Sequence, residues 1–162
     1  MELPFFILFG AIATGGAIMV VTRRHPMASA LYLILTLFAV AALFVLRQAH
    51  FLAAIQVIVY AGAVVVLFIF VIMLINVPES RLPAERVTTL RVLGVIAAGL
   101  LILESAVIAR RFAMPGVPAA DAGSVETVGR ALFTDYLLAF EVTSVLLLAA
   151  VIGAIGLAKK KI

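Results

Sequence analysis

Three side chains inside long apolar runs are the residues of this chain that could carry chemistry in a membrane. Glu104 and Glu141 are carboxylic acids, and Tyr60 is a phenol. An ionised side chain at the centre of a bilayer costs about 2.5 to 3.5 kcal/mol on insertion scales, so it needs a partner or a function. The two carboxyl groups are candidates for a proton relay. Alternatively each faces another helix or interfacial water, with Glu104 paired to Arg111, and both interpretations stay open.

Other kinds of site are excluded by what the sequence lacks. The chain has no cysteine, so it offers no disulfide, thiolate metal site, iron–sulfur ligand or cysteine nucleophile. Its two histidines, His25 and His50, have no second ligating residue at metal-binding spacing. The sequence contains no phosphate-binding glycine loop, dinucleotide fingerprint or nucleophile–base pair. We therefore expect no catalytic residue, no cofactor and no metal on this chain.

The composition places these residues in an integral membrane protein. Of the 162 residues, 66% are hydrophobic and 12% are charged, whereas soluble domains contain about half and about a quarter. A helix needs about 20 apolar residues to cross a hydrocarbon core of roughly 30 Å, so the apolar runs predict five transmembrane helices. These spans cover about 4–21, 27–46, 51–75, 90–109 and 137–158. The expected fold is all-α, with residues 1–162 forming one five-helix membrane domain.

The basic residues predict how this domain is oriented. If the amino terminus lies outside, eight basic residues are cytoplasmic and four are external, as the positive-inside rule requires. The cytoplasmic group is Arg23, Arg24, Arg81, Arg86, Arg91, Lys159, Lys160 and Lys161, and the external group is Arg47, Arg110, Arg111 and Arg130. This placement indicates contact with membrane lipid rather than nucleic acid. Residues 110–136 are predicted to form a long outer loop, which allows the last helix to pack apart from the others.

The third apolar run is the most informative, because small residues follow its tyrosine. Tyr60 lies about 13 Å inside the run, close to the membrane midplane. The segment Ala61–Ala63, with glycine at its centre, removes side-chain bulk, and the β-branched residues Val64–Val66 follow. Such a stretch permits close packing of helices or a change of hydrogen-bond register such as a π-bulge. On these residues alone, simple packing is favoured.

Two stretches of the sequence resemble a known family. Residues 51–74 (FLAAIQVIVYAGAVVVLFIFVIML) are similar to the signature helix of subunit J of the proton-pumping NADH:quinone oxidoreductase, respiratory complex I. Residues 136–155 (YLLAFEVTSVLLLAAVIGAI) are similar to the last helix of bacterial members. Five spans, an external amino terminus and a long outer loop before the fifth span agree with that family. The resemblance implies a multi-pass subunit of the bacterial inner membrane.

The resemblance also implies partners and the location of cofactors. Family members pack beside the other membrane subunits A, K and H and work with the antiporter-like subunits. The complex carries FMN, iron–sulfur clusters and quinone on other subunits, so none of them is expected on this chain.

For the third helix, the resemblance implies a π-bulge near Tyr60 and Gly62 that switches to a regular α form. The switch would connect or break a path of water and carboxylates between the quinone chamber and the pump subunits. Our own hypothesis for the closed state is that bulky Val65 or Phe68 plugs this path. Glu141 falls within a matching Phe-Glu-Val-Thr-Ser stretch, whereas Glu104 matches no family motif. The expected gating residues are Tyr60, Ala61, Gly62, Ala63, Val64, Val65, Val66 and Phe68.

Three functions stay open on this sequence. The first is a gating and coupling subunit of a redox-driven proton pump. The second is a structural scaffold subunit of the same complex, which differs only in whether the third helix moves. The third is a stand-alone cation or proton transporter that uses Glu104 and Glu141; it is disfavoured because the chain has no internal repeat and few polar residues in its spans.

Overall fold

A computed structural model describes residues 2–75, 89–111 and 123–159. Every regular element in these residues is helical, as the sequence predicts. The helices are α1 (Glu2–Thr22), α2 (Pro26–Leu46), α3 (His50–Ile55), a π-helical segment (Gln56–Val64), α4 (Val65–Ile75), α5 (Thr89–Arg111), α6 (Val125–Phe133) and α7 (Leu137–Ala158). Because α3, the π-helical segment and α4 form one continuous helix, the five expected membrane spans are confirmed. Arg81, Arg86, Lys160, Lys161 and residues 112–122 of the expected outer loop lie outside the described residues.

The spans alternate in direction, which sorts their ends between the two sides of the membrane. The start of α1, the turn between α2 and α3, the end of α5 and the start of α7 share one side, which we call the amino-terminal side. The α1–α2 turn and the ends of α4 and α7 share the opposite side.

Helices α1 and α2 form a closely packed hairpin. The last carbonyls of a helix have no partner within it, and Ser29 Oγ of α2 donates to one of them, the Val20 carbonyl, at 2.6 Å. At the same turn the Arg23 guanidinium lies over the Tyr32 ring, 5.4 Å from its centroid. These contacts satisfy polar groups where the chain reverses direction.

Gly16 lets the two helices of the hairpin approach each other. A Cβ atom at this position would collide with Oγ1 of Thr36, which is held in place because it donates to the Tyr32 carbonyl at 2.8 Å. A Cβ atom on the neighbouring Gly15 would meet nothing within 4 Å. Gly16 is therefore required for the close contact with α2, whereas Gly15 is not. The sequence Gly15-Gly16 does not reveal this difference.

Helix α2 ends in a tight turn that leads directly into the third span. The amide of Gln48 donates to the Val45 carbonyl at 2.9 Å, and the amide of Ala49 donates to the Phe44 carbonyl at 2.9 Å. This pair of hydrogen bonds is the Schellman arrangement, which needs one residue in the left-handed region. Gln48 occupies that position with φ of 60°. The third span therefore returns antiparallel to α2 and packs along it.

The first three spans form one packed unit, and its core is made of small residues. The buried hydrophobic residues are Ala30, Ala39, Ala41, Ala53, Ala61 and Val65. Lipid tails are as apolar as leucine, so helices in a membrane associate through close van der Waals contact, and small side chains permit it. Large side chains on these helices instead point outward.

Helices α5 and α7 stand apart from this unit. Among the described elements, α5 packs extensively against no other helix and α7 packs only against α6. In both spans the most apolar stretch is entirely exposed. The surfaces of these two helices are therefore left for lipid or for other proteins.

The prediction of a loop over residues 110–136 is wrong for residues 125–133, which form α6. Ser124 begins this helix, because its Oγ accepts a hydrogen bond from the amide of Thr127 at 3.2 Å. Phe133 at its end contacts Phe140 of α7, with ring centroids 5.0 Å apart. Gly123 packs on Ala49, where an added Cβ would lie 2.6 Å from the Ala49 Cα. The connection is thus anchored at the α2–α3 turn and carries α7 at its other end.

We predict that Gly16→Ala destabilises the full-length chain in detergent by about 1 to 3 kcal/mol, because the new methyl group overpacks the α1–α2 contact. Gly15→Ala is the matched control and should be neutral or slightly stabilising, since alanine favours helix more than glycine. Thr36→Ala should rescue Gly16→Ala by removing the obstructing hydroxyl. Thermal unfolding followed by circular dichroism measures all three, and equal effects of the two glycine variants would contradict the packing described.

Candidate functional site

The third span contains the π-helical turn that the family resemblance predicts. The span runs from His50 to Ile75, and its wide-turn segment is Gln56–Val64. The last wide turn closes where the amide of Val65 donates to the carbonyl of Tyr60, five residues earlier. The segment starts earlier than the expected residues and ends before Val66 and Phe68, which belong to α4. The wide turn thus surrounds Tyr60 and Gly62 and ends at the valine triplet.

Gly62 faces its own helix across the wide turn. A Cβ atom on this residue would lie 3.3 Å from the carbonyl oxygen of Val57, which is five residues earlier and is the acceptor position of the π register. That contact is tighter than a side chain prefers. A larger residue at position 62 would therefore press on the hydrogen-bond ladder itself rather than on a neighbouring helix.

The wide turn keeps one line of residues against α2. Ala53, Ala61 and Val65 are buried and Val57 is half-buried, so the packed positions repeat every four residues. In a regular α-helix each step of four residues turns about 40° past a full revolution, or about 120° over these three steps. A π-helical turn contains more than four residues, so a step of four residues rotates by less than a full revolution there. This shortfall offsets the excess rotation of the α-helical steps. The π-helical segment therefore holds Val65, which is 2% exposed, in contact with α2.

Tyr60 lies on the face of the span that points away from α2. Its side chain is 51% exposed and has no hydrogen-bond partner among the described residues. Gln56, four residues earlier in the same segment, is half-buried and also lacks a side-chain partner in the described part of the chain. Gln56 was not among the residues singled out from the sequence. Its amide lies about 8 Å from Phe51, the predicted start of the span, and a polar side chain at that depth is as unusual as the Tyr60 phenol. Together they form a short polar edge on an otherwise apolar surface.

The two carboxylates are not joined to this site within the chain. Glu104 lies on α5 and Glu141 on α7, and neither side-chain carboxylate makes a hydrogen bond or an ion pair with any described residue. The suggested pairing of Glu104 with Arg111 is therefore absent.

The hydroxyl groups next to Glu141 do not hold its carboxylate. Thr143 Oγ1 donates to the carbonyl of Ala139 at 2.7 Å. Ser144 Oγ donates to the backbone carbonyls of Phe140 and Glu141, both at 2.9 Å. Both hydroxyls are thus bound to the backbone of α7 itself, and the cluster that the sequence suggested does not form.

Comparisons with known proteins agree on one family. The sequence model of the family described as NADH-ubiquinone/plastoquinone oxidoreductase chain 6 matches residues 16–157. The chain is 36% identical to NAD(P)H-quinone oxidoreductase chain 6 of Leptolyngbya boryana, over 99% of this chain and 81% of the relative. It is 36% identical to NADH-quinone oxidoreductase subunit J of Escherichia coli K12, over 99% and 88%. It is 35% identical to subunit J of Rhodobacter capsulatus, over 93% and 78%.

We predict that Val65→Ala lowers the stability of the full-length chain in detergent by about 1 to 2 kcal/mol, because it leaves a gap against α2. Val66→Ala is the matched control, since this side chain is exposed and its removal should change stability by less than about 0.5 kcal/mol. Tyr60→Phe should be equally neutral, because the hydroxyl has no partner in this chain. Midpoints of thermal unfolding compare the three variants. A loss for Val66→Ala equal to that for Val65→Ala would place the buried face elsewhere.

Proposed function

The chain belongs to the NADH-ubiquinone/plastoquinone oxidoreductase chain 6 family, and we propose that it couples quinone reduction to proton translocation through a register change in its third span. Membership makes it a membrane subunit of an oxidoreductase complex, and its five apolar spans and bacterial relatives make it a multi-pass protein of the bacterial inner membrane. The observation that carries the proposal is the π-helical segment Gln56–Val64 at the depth of Tyr60.

A π-helical segment in a membrane is suited to two states. All backbone polar groups in lipid must be satisfied, and both the i→i+5 and the i→i+4 ladder satisfy them within the helix. Moving between the ladders shifts the helix beyond Gly62 by one residue, which corresponds to a rotation of about 100°. Gly62 lowers the steric barrier, because it has no Cβ to press on the Val57 carbonyl.

The valine triplet keeps the two states close in energy. In the π register Val65 fills the contact with α2, while Val64 and Val66 are exposed. A one-residue shift replaces Val65 in that contact with a neighbouring valine, so an identical side chain fills the same space. The contact that Val65 loses in one register is regained by a neighbouring valine in the other. A small difference in the affinity of quinone or of a partner for the two registers then suffices to shift the equilibrium between them.

The rotation changes what lies beside Tyr60. In one state the bulky side chains of Val65 or Phe68 close the surface next to the phenol. In the other, water enters there and bonds to the Tyr60 hydroxyl, which has no partner among the described residues. Gln56 adds an amide to the same polar edge. A water chain formed only in one register would let protons pass in step with the redox reaction.

In this proposal the redox chemistry belongs to other subunits. FMN, iron–sulfur clusters and quinone are assigned to them, and this chain contributes no catalytic residue. The partners are the membrane subunits A, K and H and the antiporter-like subunits. Glu104 and Glu141, proposed as proton-path carboxylates, would join such a path only through groups on these partners. Family membership removes the support for a stand-alone transporter, whereas a scaffold subunit that never changes register is the alternative.

We predict that Gly62→Val leaves the complex assembled but lowers the number of protons moved per quinone reduced by at least severalfold, because the new side chain presses on the wide turn. Ala54→Val is the matched control, since it places the same side chain at an exposed position of the same span outside the wide turn, where a Cβ already exists. Inverted membrane vesicles give both rates, and native electrophoresis reports assembly.

An unchanged ratio in Gly62→Val would contradict the register change. Structures of the complex with and without quinone provide the direct test. One winding of residues 56–64 in every state would leave the scaffold function in place.

We also predict that the amino terminus faces outward, and the absence of cysteine makes this simple to test. In whole spheroplasts, a membrane-impermeant maleimide should label Glu126→Cys on α6 but not His25→Cys in the α1–α2 turn. Both should react once detergent is added. The reverse labelling pattern would show the opposite orientation.

A further inference from the structure

The membrane carboxylates are confined to the two spans that pack against nothing in the three-span unit. Glu2 stands at the start of α1, and residues 3–75, the rest of the packed spans, contain no aspartate or glutamate. Helices α5 and α7 each contain one, Glu104 and Glu141. Apart from Glu2 at the end of α1, the acidic groups of the spans are therefore on the two helices without extensive contacts to the three-span unit.

Glu141 lies inside the membrane without a partner. It is four residues from the start of α7, or about 6 Å along the helix axis. Its side chain is exposed on the chain, and it makes no ion pair or hydrogen bond with a described residue. The hydroxyls of Thr143 and Ser144 are bound to backbone carbonyls of α7. The apolar lipid tails at this depth offer the carboxylate no hydrogen-bond donor and no positive charge.

No basic side chain among the described residues pairs with Glu141. The sequence between Arg111 and Gly123 contains no lysine, arginine or histidine. The described basic residues of the amino-terminal side make no ion pair with Glu141; they are Arg47, His50, Arg110, Arg111 and Arg130. Among the described residues, Arg23, Arg24, His25 and Lys159 lie at the opposite ends of the spans.

A symmetric contact between two copies of α7 does not supply a partner for Glu141. It would bring two carboxylates together in a medium of low dielectric constant, where like charges repel strongly. Membership in a multisubunit family therefore favours a complementary group on a different subunit.

We propose that Glu141 is the docking point of α7 on a membrane-spanning helix of another subunit, and that this helix carries a lysine, arginine or histidine at the same depth. The contact face continues from Glu141 through Val145, Leu148 and Ile152, which helical spacing places in one line and which are all exposed. Phe140, which holds α7 on α6, lies on a different side of the helix, so the docking face stays free. The proposal rests on membership in a multisubunit complex and is independent of the register change.

The test compares Glu141→Gln with Glu141→Asp in the intact complex. Glu141→Gln keeps the size but loses the charge, and we expect about tenfold less of this chain to remain bound to the complex in a native gel after mild detergent. Glu141→Asp keeps the charge and should retain binding within about twofold. Thr143→Val is the matched control, because its hydroxyl bonds only to its own helix. Immunoblots of total membranes normalise each value to the inserted chain.

A photo-crosslinking amino acid at position 145 identifies the partner. We expect an adduct with one other subunit, mapped by mass spectrometry to a helix that has a basic residue within one turn of the adduct. Exchanging that residue for glutamate together with Glu141→Lys should restore binding. Normal assembly of Glu141→Gln, whether proton pumping is impaired or not, would overturn the proposal, as would a crosslinked helix without a basic residue.

Discussion

The contact between the third span and α2 is the constraint on which the described structure depends. Residues four apart along the third span are buried against α2, and the wide turn of Gln56–Val64 keeps those residues in line. A regular α-helix would carry Val65 away from α2, because four residues exceed one of its turns. The π-helical segment is thus a packing solution as well as a candidate switch. In the proposed switch, the energy difference between the two registers depends on how well one valine replaces another in the contact with α2.

The small size of the buried residues follows from the membrane as a solvent. In water a core of alanines would stabilise a fold poorly, because little apolar surface is removed from the solvent. In lipid the transfer term between helices vanishes, and close approach of backbones provides the attraction instead. The contacts of Gly16 with Thr36 and of Ala61 with α2 show this close approach through small residues. Large apolar residues then face outward, where lipid or other subunits cover them.

The division into a packed unit and two separate spans fits membership in a multisubunit complex. Among the described residues, helices α5 and α7 bury almost nothing, which leaves their surfaces for lipid or for other subunits. Within the described residues, the short helix α6 and the contact of Gly123 with Ala49 connect α7 to the packed unit. A subunit built in this way can touch several neighbours at once, while the third span remains beside α2.

The sequence by itself determined the all-helical membrane fold, because the length and hydrophobicity of an apolar run decide whether a helix can cross lipid. It also identified the wide turn around Tyr60 and Gly62, through the resemblance of residues 51–74 to one family. The helix at Val125–Phe133 escaped prediction, because its capping serine lies in a segment of loop-like composition. Tertiary structure alone distinguished Gly16 from Gly15 and Val65 from its neighbouring valines, and it separated Glu141 from the hydroxyls beside it. These differences depend on which face of a helix meets another helix, and identical residues one position apart carry no local signal of that face.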